Sequence, residues 1–208
     1  MKYKLVIFDF DGTLANTFPF VLKVMDEVSE KFGLQKVDRN EIDMLRGLDA
    51  RMVMKHLNIP LWKVPAISTY TMNLLAKQID FLSLFDGIDQ LLKDLSDKGV
   101  QLSIVTSNSY ENVCKVLGAE NAALIRYYEC GVRLFGKQAK LKKVLKESGI
   151  QAGEAISIGD EIRDIQAAQK VSIPFGAVSW GFTNIEALMA YAPAEVFTNI
   201  GEIAERII

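Results

Sequence analysis

The chain has 208 residues, of which 50% are hydrophobic and 24% are charged, a composition typical of a globular protein with one or two domains. Its net charge of -2 provides no basic field for nucleic acid or for an anionic membrane, so neither partner is expected. No apolar run approaches the length that spans a bilayer, and the N-terminus shows a core strand instead of a signal-peptide pattern. These features predict a soluble, cytoplasmic protein.

The first element in the chain is an apolar stretch that predicts a buried strand and that ends on Asp9 and Asp11. Because side chains alternate across a strand, two positions that are two residues apart share a face, and both carboxylates point the same way. Two like charges at that distance repel, and one takes up a proton unless a cation joins them. An acidic turn explains one Asp before Gly12 but not the second acid, so the pair indicates a functional site.

A helical module is predicted next, over residues 16–80, because nothing in this stretch alternates like a strand. The apolar residues near helical spacing are Phe18, Val21, Leu22, Met25, Phe32, Ile42, Leu45, Val53, Leu57, Ile67, Leu74 and Leu75. The module separates the first strand from the second, which indicates an insertion into a sheet domain. We therefore expect an α/β core domain of residues 1–15 and 81–208 and an inserted all-helical domain of residues 16–80.

From about residue 84 the chain alternates helix and strand. Later strands are predicted over 101–106, 126–130, 155–159, 175–179 and 195–198, with helical crossovers between them. This repetition predicts a doubly wound parallel sheet of the Rossmann-like kind. Ligands of such sheets bind outside the carboxyl ends of the strands, so the residues that follow each strand are the candidates for chemistry.

Polar residues do follow the second and fourth strands. Thr106, Ser107 and Asn108 follow the second, where their hydroxyl and amide groups can donate to an anion or simply cap a helix. Asp160 follows the fourth, and Asp164 shares its helix face four residues later. One acid pair could complement a helix dipole, but four acids at one sheet edge indicate a metal site. An oxygen-rich set of this kind suits Mg²⁺.

A cation is predicted beside these acids at Lys137, which follows Gly136 just ahead of a helix. It would neutralise part of the charge of the acids and of a bound phosphate. Lys140 lies three residues later and could serve instead.

The haloacid dehalogenase-like hydrolases carry four motifs that this chain resembles in order, at Asp9-Phe10-Asp11-Gly12-Thr13-Leu14, Thr106, Lys137 and Gly159-Asp160-Glu161-Ile162-Arg163-Asp164. The helical insertion resembles the cap of the phosphoglycolate phosphatase-like branch, and Trp180-Gly181-Phe182 is similar to a segment of that branch. The resemblance implies a magnesium-dependent phosphatase that acts on small phosphorylated metabolites.

The resemblance also implies a role for each motif residue. Asp9 would attack phosphorus and form an aspartyl-phosphate, and Asp11 would protonate the leaving oxygen and then activate water. Mg²⁺ would be held by Asp9, Asp160 and the main-chain carbonyl of Asp11, with Asp164 supporting them. The phosphate-binding residues would be Thr106, Lys137, Gly12 and Ser107.

Substrate specificity is expected from the cap, where Arg46 or Arg51 could bind a substrate carboxylate bidentately. Two further positions have no assigned role. Asn16 stands where many relatives carry an acid, and Glu161 adds an acid beside Asp160.

Three other functions stay open on the sequence. A phosphomutase of the same fold would return the phosphoryl group to the sugar instead of to water. A dehalogenase would need no metal, which Asp11, Asp160 and Asp164 argue against. A phosphorylatable regulatory domain would resemble response-regulator receivers, which are shorter and lack an inserted cap. The chain is expected to be a monomer or a small homo-oligomer.

Overall fold

The computed structural model describes residues 2–131 and 136–208 and contains a six-stranded parallel sheet. The strands are β1 (Leu5–Phe8), β2 (Gln101–Val105), β3 (Ile125–Glu129), β4 (Ala155–Gly159), β5 (Phe175–Val178) and β6 (Glu195–Phe197). They lie in the order β3-β2-β1-β4-β5-β6, and every neighbouring pair is parallel. The predicted α/β, doubly wound fold is confirmed, although β3 begins and ends one residue before the predicted strand.

Helices connect these strands. The α-helices are α1 (Phe18–Phe32), α2 (Ile42–Leu45), α3 (Ala50–His56), α4 (Val64–Lys77), α5 (Ile88–Asp97), α6 (Tyr110–Leu124), α7 (Lys137–Ser148), α8 (Ile162–Gln169), α9 (Ile185–Met189) and α10 (Gly201–Ile207). Short 3₁₀ helices cover Arg39–Glu41, Leu61–Lys63, Ile79–Phe81 and Ala152–Glu154. Within the described ranges, no helix combines the length and the apolar character that a bilayer crossing requires.

The central strand β1 is buried on both faces. Val6 and Phe8 pack into one hydrophobic layer, and Leu5 and Ile7 pack into the layer on the other side of the sheet. This is why its sequence is continuously apolar instead of alternating. Phe8 pairs in register with Ile104 of β2 and with Ile158 of β4, so the three strands end at the same level. Residues that follow them therefore meet at one edge of the sheet.

The segment between β1 and α5 is helical, as the spacing predicted, and we call residues 16–80 the helical insert. Its helices α1 and α4 enclose a separate apolar cluster of Phe20, Val24, Leu74, Leu75 and Ile79. The two ends of the insert meet, because Ala15 forms an antiparallel bridge with Leu84. A cluster of its own and adjoining ends support our proposal that residues 16–80 form a domain inserted into a core of residues 1–15 and 81–208.

Candidate active site

Asp9 lies at the carboxyl end of β1 and is only 4% exposed. Its Oδ1 accepts a hydrogen bond from the backbone N–H of Phe10, and its Oδ2 lies 2.9 Å from Lys137 Nζ. The same ammonium donates to Asp164 Oδ1 over 2.6 Å. Lys137 therefore connects the acid that follows β1 with an acid of α8.

Lys140, the alternative cation, points elsewhere. Its Nζ lies 2.7 Å from Glu129 at the end of β3, and Lys143 contacts the same carboxylate over 2.5 Å. Although burial alone would raise the pKa of Glu129, these two lysines hold it below its usual value. Of the two candidate lysines, the structure brings Lys137 to the acids and uses Lys140 to neutralise Glu129.

Three buried carboxylates form a cluster at the sheet edge. The nearest oxygens of Asp9, Asp160 and Asp164 all lie within 4.8 Å of one another. Burial raises the pKa of Asp9 to about 7, and burial together with the neighbouring acids raises the pKa of Asp160 well above its usual value. Burial would also raise the pKa of Asp164, but Lys137 and Arg163 hold it below the usual value. Fully ionised, the three acids would carry more negative charge than Lys137 and Arg163 can compensate, and burial together with this excess is why two of them hold protons more tightly than usual.

These donors fit a divalent metal ion. Asp9 Oδ2 is buried, yet it accepts no hydrogen bond from the residues that the structure describes. Its close contact is the ion pair with Lys137 Nζ, which supplies one positive charge to a cluster of three acids. Buried anions beyond that number are paired or coordinate metals. Hard carboxylate oxygens are the ligands that ions such as Mg²⁺ and Mn²⁺ prefer.

Asp160 is oriented from two sides. Its Oδ1 accepts a hydrogen bond from Thr13 Oγ1, and its Oδ2 accepts one from the backbone N–H of Phe182, both over 2.7 Å. Gly12 and Gly181 pass so close that only glycine fits. A Cβ on Gly12, where φ is +77°, would lie 2.3 Å from Asp160 Oδ2, and a Cβ on Gly181 would lie 2.1 Å from Asp160 Cβ.

Asp11 has a different environment. The Nδ2 of Asn108 donates to both of its carboxylate oxygens, each over 3.1 Å. Burial raises the pKa of Asp11 to about 6, against the opposing effect of this amide. Asn108 is itself held in place, because its Oδ1 accepts from the backbone N–H of Ser109 and from Asn112 Nδ2. Asn108 belongs to the run after β2 that was predicted to donate to an anion, but its contact with Asp11 was not predicted.

The predicted phosphate-binding residues lie around the same edge. Thr106 is buried after β2, and its Oγ1 accepts from the backbone N–H of Asn108 over 3.1 Å. Ser107 borders a cavity of about 1310 Å³ that extends to α3 and α4 of the insert. Gly12 lies against Asp160. Their contact with phosphate stays a prediction.

Arg163 is a charged residue that the sequence-based site did not include. It is close enough to Asp9 and Asp164 to stabilise their ionised forms, and its Nη2 donates to Glu161 Oε1 over 2.5 Å. Glu161 also caps α8, since its side chain and that of Asp164 form a reciprocal capping box. Asn16, the other residue without an assigned role, is exposed and donates its backbone N–H to the carbonyl of Ser83.

The two arginines predicted to bind substrate lie in different places. Arg51, in α3, borders the cavity. The guanidinium of Arg46, after α2, donates to the main-chain carbonyls of Gly181 and Phe182. Neither placement tests a contact with substrate.

The chain is similar to known proteins over most of its length. A family model described as "Haloacid dehalogenase-like hydrolase" matches residues 6–178, which include the helical insert and all four acids. The chain belongs to the haloacid dehalogenase-like hydrolase family.

Among its relatives, a phosphoglycolate phosphatase from Synechococcus elongatus is 29% identical over 189 residues, which cover 90% of this chain and 89% of the relative. An N-acetylmuramic acid 6-phosphate phosphatase from Pseudomonas aeruginosa is 25% identical over 208 residues, which cover 96% and 92%. The crystal structure of a putative phosphoglycolate phosphatase from Lactobacillus plantarum superimposes with a TM-score of 0.84 at 24% identity, covering 99% of both chains. The hydrolase is a phosphatase of the phosphoglycolate phosphatase-like branch.

Proposed function

We propose that this hydrolase is a Mg²⁺-dependent phosphatase of small phosphorylated metabolites that works through an aspartyl-phosphate on Asp9. The observation that carries the proposal is the position of the Asp9 carboxylate, buried 2.9 Å from Lys137 Nζ within a set of acids that fits a metal ion. An anionic nucleophile needs such cations to approach an anionic phosphate ester.

The residues that would hold Mg²⁺ are Asp9, Asp160 and the main-chain carbonyl of Asp11. Asp164 would support them, because it fixes Lys137 beside Asp9. When bound, the ion would neutralise charge on the phosphoryl group as it is transferred. Thr106, Ser107 and Lys137 would bind the phosphoryl oxygens through hydroxyl, backbone N–H and ammonium donors. Gly12 would instead leave space beside Asp160, because its backbone N–H donates to the carbonyl of Ala15.

Asp9 and Asp11 would act in two steps. In the first, Asp9 attacks phosphorus, the bond to the leaving oxygen breaks, and Asp11 gives that oxygen its proton. In the second, Asp11 takes a proton from water, which attacks phosphorus and releases inorganic phosphate and free Asp9. Two hydrogen bonds from Asn108 keep the Asp11 carboxyl in position for both transfers.

The substrate would bind in the cavity between the sheet edge and the helical insert. The insert would act as a cap that excludes water. The names of the relatives support phosphoglycolate, and among them N-acetylmuramic acid 6-phosphate marks a bulkier alternative. Arg51 borders the cavity and is the better placed of the two arginines to receive a substrate carboxylate.

A screen of phosphorylated metabolites for released inorganic phosphate, with Mg²⁺ and with excess chelator, tests this function. We expect Mg²⁺-dependent release with small esters, including phosphoglycolate, and none from Asp9→Asn. An isomeric ester in place of phosphate would identify a phosphomutase. Release of halide from haloacids that persists in chelator would identify a dehalogenase. Stable phosphorylation without release would identify a regulatory domain.

A further inference from the structure

The loop that follows β5, residues 180–184, lies between Asp160 and the helical insert. On the side of the sheet, Trp180 Nε1 donates to the carbonyl of Thr13 over 3.1 Å. The backbone N–H of Phe182 donates to Asp160 Oδ2, and Gly181 packs directly against the Asp160 side chain. A shift of this loop would therefore move a hydrogen-bond donor of Asp160.

The opposite side of the loop is held by Arg46 of the insert. Arg46 Nε donates to the carbonyl of Phe182 over 3.0 Å, and Nη2 donates to the carbonyl of Gly181 over 3.1 Å. The guanidinium also lies 5.1 Å from the ring centre of Phe18. The ring centres of Phe18 and Phe182 are 5.3 Å apart, and the two rings are nearly perpendicular. The Arg46 side chain is 27% exposed, so these bonds are largely shielded from water.

Asn184, in the loop, also donates hydrogen bonds to the insert. Its backbone N–H donates to the carbonyl of Arg46 over 2.9 Å, and its Nδ2 donates to the carbonyl of Asp43 over 3.0 Å. Four hydrogen bonds thus join residues 43–46 to the loop, and all of them use fixed main-chain groups on at least one side.

We infer that Arg46 is a positioning residue for the metal site. When residues 43–46 rest on the loop, its guanidinium fixes the Gly181–Phe182 peptides, and the Phe182 N–H then fixes the orientation of the Asp160 carboxylate. The planar fork of arginine suits this task, because it reaches two carbonyls at once, which an ammonium does with less geometric control. The inference rests on the proposed function and gives Arg46 a role other than contact with substrate.

The test is direct measurement of Mg²⁺ binding by calorimetry, without substrate, for the wild-type protein, Arg46→Gln, Arg46→Lys and Asn184→Ala. Loss of partners that orient metal ligands typically weakens metal binding by about 10-fold to 100-fold, so we expect a loss in that range for Arg46→Gln. A smaller loss is expected for Arg46→Lys and Asn184→Ala. At saturating Mg²⁺, the KM for substrate should return close to the wild-type value.

Arg39→Gln is the matched control. The Arg39 guanidinium donates to the carbonyl of Leu22 and to Asp26, both within the insert, so its loss should leave Mg²⁺ affinity unchanged. Unfolding curves establish which variants are folded. If Arg46→Gln does not fold, the Mg²⁺ affinity of Asn184→Ala tests the inference instead.

Unchanged Mg²⁺ affinity in Arg46→Gln, with a KM raised only for carboxylated substrates, would overturn the inference and make Arg46 a substrate ligand. That result would leave the proposed function intact, since the wild-type protein would still bind Mg²⁺ and release phosphate. A wild-type protein that binds no Mg²⁺ would instead overturn both.

Discussion

Asp9 and Asp11 are chemically alike and two residues apart, yet their partners differ. The Asp9 carboxylate faces an ammonium and two other acids, which suits an oxygen that stays ionised when a metal ion is bound. The Asp11 carboxyl faces the neutral amide of Asn108, which can hydrogen-bond to it in either protonation state. The surroundings, and not the residue type, support the division into a nucleophile and a proton carrier.

Asn substitutions separate these two roles. Asp9→Asn should abolish phosphate release, because it removes the attacking oxygen anion. Asp11→Asn should lower kcat by about 100-fold or more, the usual size of a general acid–base contribution. Phosphate release at saturating Mg²⁺ is the measurement, with circular dichroism to show that both variants are folded. Near-native turnover by Asp9→Asn would refute the mechanism.

Asn108 gives a second prediction at the residue scale. A hydrogen bond to a charged group contributes about 1.5–3 kcal/mol, so Asn108→Ala should lower kcat by roughly 10-fold to 100-fold if the bonds matter in the transition state. Asn121→Ala is the control, because Asn121 lies on α6, the helix that follows Asn108, and its side chain donates to Asp89 and to the carbonyl of Leu117, away from the acids. Equal kcat values for the two variants would show that the Asn108 side chain does not contribute to catalysis.

At the scale of elements, the sequence predicted the features that depend on the local pattern of apolar and charged residues. The continuously apolar β1 and the acids after β1 and β4 were predictable, because strand burial and parallel order bring strand ends together. The one-residue shift of β3 reflects pairing with β2, which the sequence does not encode locally. Lys137 and Lys140 could not be separated by spacing, because the choice depends on Glu129, a residue of another strand. The contacts of Arg46 and Asn108 likewise depend on distant partners.

The loop after β5 gives a prediction at this scale. Gly181→Ala introduces a Cβ that would lie 2.1 Å from Asp160 Cβ, so the loop must move away from the acid. Such overpacking typically destabilises a protein by about 1–3 kcal/mol, and the displaced Phe182 N–H should also weaken Mg²⁺ binding.

Gly153→Ala is the matched control, because a Cβ there meets nothing within 4 Å. Urea unfolding and Mg²⁺ titration compare the two variants. If Gly181→Ala were as stable and as tightly metal-binding as Gly153→Ala, the loop would not be fixed against Asp160.

At the scale of the whole molecule, the site opposes folding when no metal is bound. The usual aspartate pKa is 3.8, whereas burial raises the pKa of Asp9 to about 7 and that of Asp11 to about 6. Between about pH 4 and pH 7 the folded protein therefore binds more protons than the unfolded chain, and its free energy of unfolding falls as the pH rises. The lowered pKa of Asp164 acts in the opposite direction, but only as the pH falls below about 4.

Urea unfolding in excess chelator, from pH 5 to pH 8, should show this decline. Each proton retained only by the folded state contributes a slope of about 1.4 kcal/mol per pH unit. Asp9→Asn should show a shallower slope, because one of the titrating groups is gone. Saturating Mg²⁺ should raise stability more at pH 8 than at pH 5, since the ion replaces protons on the acids. Stability that increases from pH 5 to pH 8 in chelator would contradict the burial of these acids.

The adjoining ends of the helical insert have a consequence for how the molecule can change over evolutionary time. Ala15 bridges to Leu84, and the backbone N–H of Asn16 donates to the carbonyl of Ser83, so the chain leaves and rejoins the sheet domain at one point. The entropic cost of closing such an inserted segment rises by only about 0.6 kcal/mol for each doubling of its length. The region that borders the cavity can thus lengthen, shorten or be exchanged while β1 and Asp9 keep their positions. Under the proposed function, new leaving-group preferences would therefore arise without changes to the acids at the sheet edge.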